Sequence, residues 1–333
     1  VTVSLAPRVC SPDNWCWYSP LPHGNLIRQV WGTRNDDIWA VGDAGTILHW
    51  DGYQWSPSAS NTTNYLLGVW GSSSNDVWAV GAGGTVLHWD GTVWNPIGAI
   101  SGLSTTDLYG VWGSGPDDIW AVGNNGIVVH RDRSNQWMAS TPVPVTKLNA
   151  IWGSSRNDVW AVGDVGAILR FDGSTWRAVA PTPATSETFY GVWGTGPSDI
   201  WFVGNSGVVR RWTGTTWSAG NSIASGTTSR LYGVWGTSIA QAWAVGDGGT
   251  LLGWNGNAWS SLNSGTKNIL YGMWGSSSST AWAVGQFGTL IQFSNGIWTQ
   301  FSAAPTDLRH GIWGSGADDA WVVGYQGTLQ HWN

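Results

Sequence analysis

A Trp-Gly pair recurs eight times along the chain and constrains the fold more than any other feature. Successive pairs are separated by 39 to 42 residues, and each unit contains four short β-prone runs divided by turn residues. One such unit cannot bury its own apolar faces, so a periodicity of this length predicts stacked units. We therefore predict an all-β fold, a single eight-bladed β-propeller with four antiparallel strands per blade, formed by residues 1–333 as one domain. The tryptophans of the pairs are Trp31, Trp70, Trp112, Trp152, Trp193, Trp235, Trp274 and Trp313.

The remaining tryptophans follow the same repeat. Every second strand contains one, five third strands end on one, and every fourth strand contains one if Trp17 is assigned to the last blade. This alignment places 29 of the 30 tryptophans and leaves only Trp15 outside the repeat. Large flat side chains suit the wedge-shaped gaps between blades, so we interpret the tryptophans as scaffold.

Small and polar residues complete the repeat. Glycine or alanine precedes the first tryptophan of a unit by two positions, and these small residues suit inner strands that are crowded together. Gln29 is the exception. An aspartate opens the second strand in six units, and we expect it to accept backbone N–H bonds in the preceding turn. Those six are Asp37, Asp76, Asp118, Asp158, Asp199 and Asp319. Gln241 and Thr280 take its place in the sixth and seventh units.

The two ends of the chain predict a closed ring. The eighth unit stops after its third strand, and Asp13 to Trp17 repeats the spacing of a fourth strand. Residues 10–20 are therefore expected to complete the eighth blade and to cover its edge. Cys16 lies in this strand and Cys10 precedes it, and a disulfide between them would indicate a secreted or otherwise extracytoplasmic protein. The alternative is two free thiols in a cytosolic protein.

The motif Trp-Ala-Val-Gly-x-x-Gly-Thr-x-Leu-x-x-Asp-Gly-x-x-Trp resembles the Asp-box, or bacterial neuraminidase repeat, propellers. The chain is most similar to their non-enzymatic branch, which includes the photosystem II assembly-factor propellers, and to secreted Trp-rich repeat proteins of myxobacteria. The resemblance covers nearly the whole chain and implies the fold. Thr213, Asn255 and Ser294 depart from it, because they stand where the motif has aspartate.

Most chemistries lack the residues that they need. Glu187 is the only glutamate, and no pair of acids stands out from the repeat, so we expect no enzymatic activity. A net charge of -6 argues against nucleic-acid binding, and no apolar run is long enough to span a membrane. His49, His88, His130 and His331 share one strand position, which indicates half-exposed strand histidines and no metal site. No cofactor is expected, and calcium in an Asp-containing turn remains an open alternative.

Two groups of residues are candidates for binding. Polar and aromatic residues recur where the loops between blades meet the turns between second and third strands, and tyrosine faces with short polar groups suit sugars. The candidate ligand-binding residues are Tyr109, Tyr190, Tyr232, Tyr271, His310, Arg28, Asp43, Asn124, Asp164, Asn205 and Asp247. The alternative is that the tyrosines pack between blades with the phenol at the rim. Arginines concentrate in the third to sixth units and could bind a partner through Arg170, Arg177, Arg210 and Arg211, or they could be scattered over a solvated surface.

The sequence thus favours a non-enzymatic extracytoplasmic binding module that recognises glycans in a lectin-like manner. The alternative is a rigid scaffold for protein interaction or assembly, and an Asp-box glycosidase comes third. The partner is then a glycan or a protein. The sequence does not specify its identity or the oligomeric state.

Overall fold

The protein is described by a computed structural model and is a closed eight-bladed β-propeller, as the repeat predicts. The described residues are 9–10, 15–17, 25–103, 105–141, 144–181, 184–218, 224–301 and 308–332. Each blade is an antiparallel sheet, and in the first seven blades the strands follow chain order from the inner to the outer edge. Asp13 and Asn14 of the predicted closing strand lie outside the described residues.

The inner strand of each blade has eight residues and contains the Trp-Gly pair. The inner strands are Ile27–Arg34, Leu66–Ser73, Leu108–Gly115, Leu148–Ser155, Phe189–Gly196, Leu231–Ser238, Leu270–Ser277 and Arg309–Gly316. The second strands are Asp37–Gly42, Asp76–Gly81, Asp118–Gly123, Asp158–Gly163, Asp199–Gly204, Gln241–Gly246, Thr280–Gly285 and Asp319–Gly324. Neighbouring inner strands pack on one another around the ring, and the first packs on the eighth.

The third and outer strands are shorter. The third strands are Ile47–Trp50, Val86–Trp89, Val128–Arg131, Ile168–Phe171, Val209–Trp212, Leu251–Trp254, Leu290–Ser294 and Leu329–Trp332. The outer strands of blades 1–4, 6 and 7 are Trp55–Pro57, Trp94–Pro96, Trp137–Ser140, Trp176–Ala178, Trp259–Ser261 and Ile297–Gln300. In blade 5 an isolated bridge between Trp212 and Trp217 marks the outer edge. Six turns between second and third strands are single 3-10 turns: Asp43–Gly45, Ala82–Gly84, Asn205–Gly207, Asp247–Gly249, Gln286–Gly288 and Tyr325–Gly327.

The N-terminal segment closes the eighth blade, as predicted. Trp15–Trp17 pairs antiparallel with Leu329–Trp332, and Val9–Cys10 adds a fifth strand outside it. Trp15, which the repeat alignment leaves outside, stands opposite Trp332, and Trp17 stands opposite Gln330. In the other blades a tight hairpin fixes the spacing between third and outer strands. No hairpin joins these two, so the Asp-to-Trp spacing does not set their register.

Tryptophans of the second strands form the core of the gaps between blades. All eight are almost fully buried, and each removes roughly 200 Å² from water, worth about 5 kcal/mol at most. Trp39 of blade 1 contacts Trp89 and Trp94 of blade 2 at ring-centroid distances of 4.8 and 5.2 Å. Trp321 of blade 8 contacts Trp50 and Trp55 of blade 1 in the same way, at 4.7 and 5.1 Å. The contact between the last and the first blade is therefore the same tryptophan packing that joins neighbouring blades elsewhere in the ring.

Crowding of the inner strands explains their glycines. A Cβ at Gly71 would lie 2.6 Å from the Trp31 ring of the preceding blade. At Gly191 a Cβ would lie 2.9 Å from the carbonyl oxygen of Tyr232 in the next blade. Gln29, the exception, accepts a 2.6 Å hydrogen bond from the backbone N–H of Val69 in the neighbouring blade. No helix in the described ranges is long and apolar enough to cross a membrane.

Candidate functional site

Each inner strand has two β-bulges, and the bulges position the candidate residues. The pairing of the first inner strand moves from Ile27 opposite Gly42 to Gln29 opposite Val41, which leaves Arg28 as the extra residue. The same irregularity recurs in all eight blades. A bulge re-aims the side chain of its extra residue, so one residue per blade leaves the sheet register at the same height.

The eight extra residues lie around the ring axis at one face of the disc. We call this face the loop face, because it carries the turns between second and third strands and the connections between blades. The opposite face, with the other two sets of turns, is the turn face. We call the eight residues the mouth ring: Arg28, Leu67, Tyr109, Asn149, Tyr190, Tyr232, Tyr271 and His310. All eight side chains are partly exposed.

Four consecutive members of the mouth ring form a continuous aromatic arc across blades 5 to 8. The ring centroids of Tyr190 and Tyr232 lie 5.4 Å apart, as do those of Tyr232 and Tyr271. Tyr271 and His310 are stacked at 5.2 Å. The structure therefore brings four of the predicted binding residues together. The tyrosines contact each other between blades while remaining partly exposed, and their role in binding stays a prediction.

The predicted polar residues of the loop face bond to the mouth ring or beside it. Arg28 forms an ion pair with Asp43. Asn149 donates to Asp164 Oδ1 at 3.2 Å. The side chain of Tyr109 bonds that of Asn124.

The same pattern continues in the other blades of this face. Arg230 Nε donates to Asn205 Oδ1 at 2.9 Å, and Tyr232 lies between Arg230 and Asp247. Most of the polar groups offered as sugar ligands are thus occupied within the protein.

Burial favours the uncharged forms of two arc residues, Tyr232 and His310. It raises the pKa of the Tyr232 phenol, and it does the same for Tyr109. Burial also lowers the pKa of His310, and the nearby Arg28 cation lowers it further. The rings of Tyr232 and His310 are therefore neutral at neutral pH, with the Arg230 and Arg28 cations beside them.

Two exposed apolar residues on the loop face adopt strained backbone conformations. Val165 and Phe287 occupy the middle of their turns with φ of 55° and 50°, and their exposed fractions are 68% and 64%. Glycine holds the equivalent position at Gly83 and Gly248. A β-branched or bulky residue with positive φ is an outlier, and such strain tends to persist at functional sites.

The four predicted partner-binding arginines occupy different environments. Arg170 and Arg211 pair with Asp158 and Asp199 at 2.8 and 2.7 Å and lie over tryptophan rings. Arg177 is exposed and lies 3.5 Å from Asp172. Arg210 is buried, with 6% of its surface exposed.

The aspartates that open the second strands have partners that the sequence analysis did not anticipate. Asp118 accepts hydrogen bonds from the bulged Ser114 of the inner strand and from His130 of the third strand, at 2.6 and 2.8 Å. His130 also stacks on Trp120 at 3.5 Å. The expected backbone donors are largely replaced by side chains, because the second bulge of the inner strand turns a serine or threonine hydroxyl toward the carboxylate.

The strand histidines are therefore structural. His49, His88, His130 and His331 each bond the aspartate of their own blade, and arginine takes this role in blades 4 and 5. Gly253 and Gln292 stand in the third strands of the two blades that lack the aspartate. In the sequence, a histidine or arginine occupies this third-strand position only in units that have the aspartate. This pattern is the signal that could have predicted the pairing of the two side chains. Among the described residues no cluster of three or more histidine, cysteine or acidic side chains could hold a metal ion.

Solved structures share the fold of this chain. YCF48 bound to D1 peptide matches 81% of this chain and 93% of its own, at 19% identity and a TM-score of 0.61. YCF48 from Cyanidioschyzon merolae matches 96% of this chain and 98% of its own, at 17% identity and a TM-score of 0.64. Chaetomium thermophilum Sqt1 bound to the N-terminus of the ribosomal protein L10 matches 95% of this chain and 98% of its own, at 11% identity and a TM-score of 0.75.

These identities show a common fold and no more. No family model and no curated protein matches the chain, so membership of the Asp-box family stays a prediction.

Proposed function

We propose that this propeller is a non-enzymatic protein-interaction scaffold that holds an extended segment of a partner on its loop face. The observation that carries the proposal is the aromatic arc of Tyr190, Tyr232, Tyr271 and His310. Aromatic surfaces that are rigidly held and partly exposed supply contact area at little entropic cost, and tyrosine is enriched at binding hot spots.

Apolar residues around the arc extend the contact area. Val165, Phe287, Tyr325 and Tyr65 belong to loops of the same face, and each exposes about half or more of its surface. Exposed apolar residues gathered on one face are typical of interaction sites. The positive φ of Val165 and Phe287 raises the free energy of the folded state, and exposing these side chains to water does not lower it again. Such strain is typical of functional sites.

A protein partner fits this face better than the glycan that the sequence favoured. Sugar recognition needs free polar groups for hydroxyls, whereas Asp43, Asn124, Asp164 and Asn205 already bond neighbouring side chains. Two of the propellers with this fold were solved with segments of protein partners, a D1 peptide and the N-terminus of L10. That precedent supports the scaffold reading for this chain.

A phage-displayed peptide library panned on the purified protein tests the proposal. Selected peptides are synthesised, and their Kd is measured by calorimetry on the wild type and on the Tyr232→Ala, Tyr271→Ala double variant. We expect the double variant to weaken binding at least about tenfold, as loss of hot-spot residues does.

The matched control is Tyr53→Ala, because Tyr53 is 83% exposed in a turn of the turn face. This variant should bind with wild-type Kd. A glycan array run in parallel tests the alternative. Glycan binding without peptide enrichment, or a Kd that depends on Tyr53 and not on the arc, would overturn the proposal.

A further inference from the structure

Arg210 stands in a position that the repeat reserves for a buried aliphatic side chain. It occupies the second residue of its third strand, opposite Phe202 of the second strand. The equivalent residues of the other blades are Leu48, Leu87, Val129, Leu169, Leu252, Ile291 and Gln330. One blade has thus exchanged an apolar core side chain for a cation.

Within the described ranges the cation has no counter-charge. Arg210 Nη1 donates a 3.0 Å hydrogen bond to the carbonyl oxygen of Val209, its only hydrogen bond to described residues, and Nε has no partner. No acidic side chain in the described part of the chain lies within 4.0 Å of the guanidinium. Burial lowers the pKa of Arg210, which nevertheless stays protonated at neutral pH. An unpaired buried charge is costly, so its presence in an apolar slot requires an explanation.

Arg210 lines an open surface cavity of about 690 Å³ at the loop-face end of blade 5. The rest of the lining is rich in hydroxyl groups, including Thr185, Ser206, Ser225 and Thr227. Glu187 lies on the same wall and accepts a hydrogen bond from Ser206 at 3.1 Å. The cavity therefore offers one buried cation, several donors and a single acid.

We propose that this cavity binds a carboxylate group, with the Arg210 guanidinium as its counter-charge and the hydroxyl groups as further donors. Guanidinium and carboxylate match in charge and planar geometry. The Glu187 carboxylate repels a doubly charged phosphate more strongly than a singly charged carboxylate, which favours the latter. The site is separate from the aromatic arc and does not depend on the proposed function.

Titration with defined anions tests the site. The ¹⁵N-labelled protein is titrated with sodium acetate, with an aspartate residue blocked at both ends, and with inorganic phosphate, while the Arg210 Nε–H resonance is followed. Saturable shifts of the resonance with either carboxylate support the proposal. The compound with the lower Kd shows whether the natural ligand is a free acid, like acetate, or an acidic side chain, like blocked aspartate. A lower Kd for phosphate than for either carboxylate, or the absence of any saturable shift, overturns the proposal.

The variant Arg210→Leu restores the residue that other blades have, so it should fold with an equal or higher Tm. Binding, followed by calorimetry and by the amide resonances of the cavity, should weaken at least about tenfold, because a charge-assisted hydrogen bond is lost. Gln330→Leu is the matched control, since it makes the same restoration in blade 8 and should leave carboxylate binding unchanged. Equal binding by the wild type and Arg210→Leu would show an adventitious surface effect and overturn the proposal.

Discussion

At the scale of single residues, the aspartate that opens the second strand contributes more than turn geometry. Asp118 is buried, and burial by itself raises its pKa. Hydrogen bonds from His130 and Ser114 outweigh this effect and hold the pKa of Asp118 below its ordinary value. The pKa values of Asp37, Asp76 and Asp319 are lowered by the same arrangement. Each carboxylate links inner, second and third strands through side chains.

We expect Asp118→Asn to lower the free energy of unfolding by about 1–3 kcal/mol at pH 7, because His130 and Ser114 lose a charged acceptor. The wild-type contribution is fully present above the unfolded pKa of about 4 and is lost as pH falls through the lower folded pKa. The difference between the two proteins should therefore shrink below about pH 4. Urea unfolding at pH 7, 5 and 3 measures it.

Thr280→Ala is the control at the equivalent position of blade 7, where the structure has no aspartate. It should change the free energy of unfolding by less than about 0.5 kcal/mol, as surface substitutions do. A loss as large as that of Asp118→Asn, or a difference that grows in acid, would show that the carboxylate is not the source of stability.

At the scale of elements, the sequence predicted the strands well but not the bulges. Period, turn residues and Trp spacing identify four strands in each unit, since they reflect burial and hairpin geometry. The bulges depend on how inner strands pack against neighbouring blades, which no local pattern records. The mouth-ring positions were recognised from their variation between units, whereas their pairing with residues such as Asp43 and Asn124 required the structure.

The closing strand likewise has one feature that the sequence predicts and one that only the structure shows. Its existence followed from the missing outer strand of the last blade, while its register, with Trp15 opposite Trp332, required the structure. The structure also places the backbone of Cys10 directly opposite Cys16 in neighbouring antiparallel strands. The predicted disulfide would therefore join two directly paired positions, and the extracytoplasmic location that it would indicate stays a prediction.

Removing residues 1–24 should destabilise the protein, because it exposes the edge of the strand Leu329–Trp332. We expect a Tm that falls by about 1.5 °C for each kcal/mol lost, together with oligomers in size-exclusion chromatography. A variant without residues 1–8 retains Val9–Cys10 and Trp15–Trp17 and serves as the control. Equal melting of the two truncated proteins would contradict the closure.

At the scale of the whole molecule, the two faces of the disc have different tasks. The turn-face ends of the blades are held by the aspartate networks, and the gaps between blades are filled by tryptophan. The loop face carries the aromatic arc, the strained apolar turn residues and the Arg210 cavity. Stability thus comes from what the eight blades share, whereas the proposed binding surfaces lie at positions where the blades differ.

Hydrogen–deuterium exchange of the protein with and without a selected peptide tests this division most directly. We predict slower exchange in the loop-face segments, above all residues 228–233 and 286–290, which adjoin the aromatic arc. Segments of the turn face, such as residues 33–37 and 91–93, should exchange at unchanged rates. Protection confined to the turn face, or spread equally over both faces, would contradict the assignment of the loop face as the binding surface.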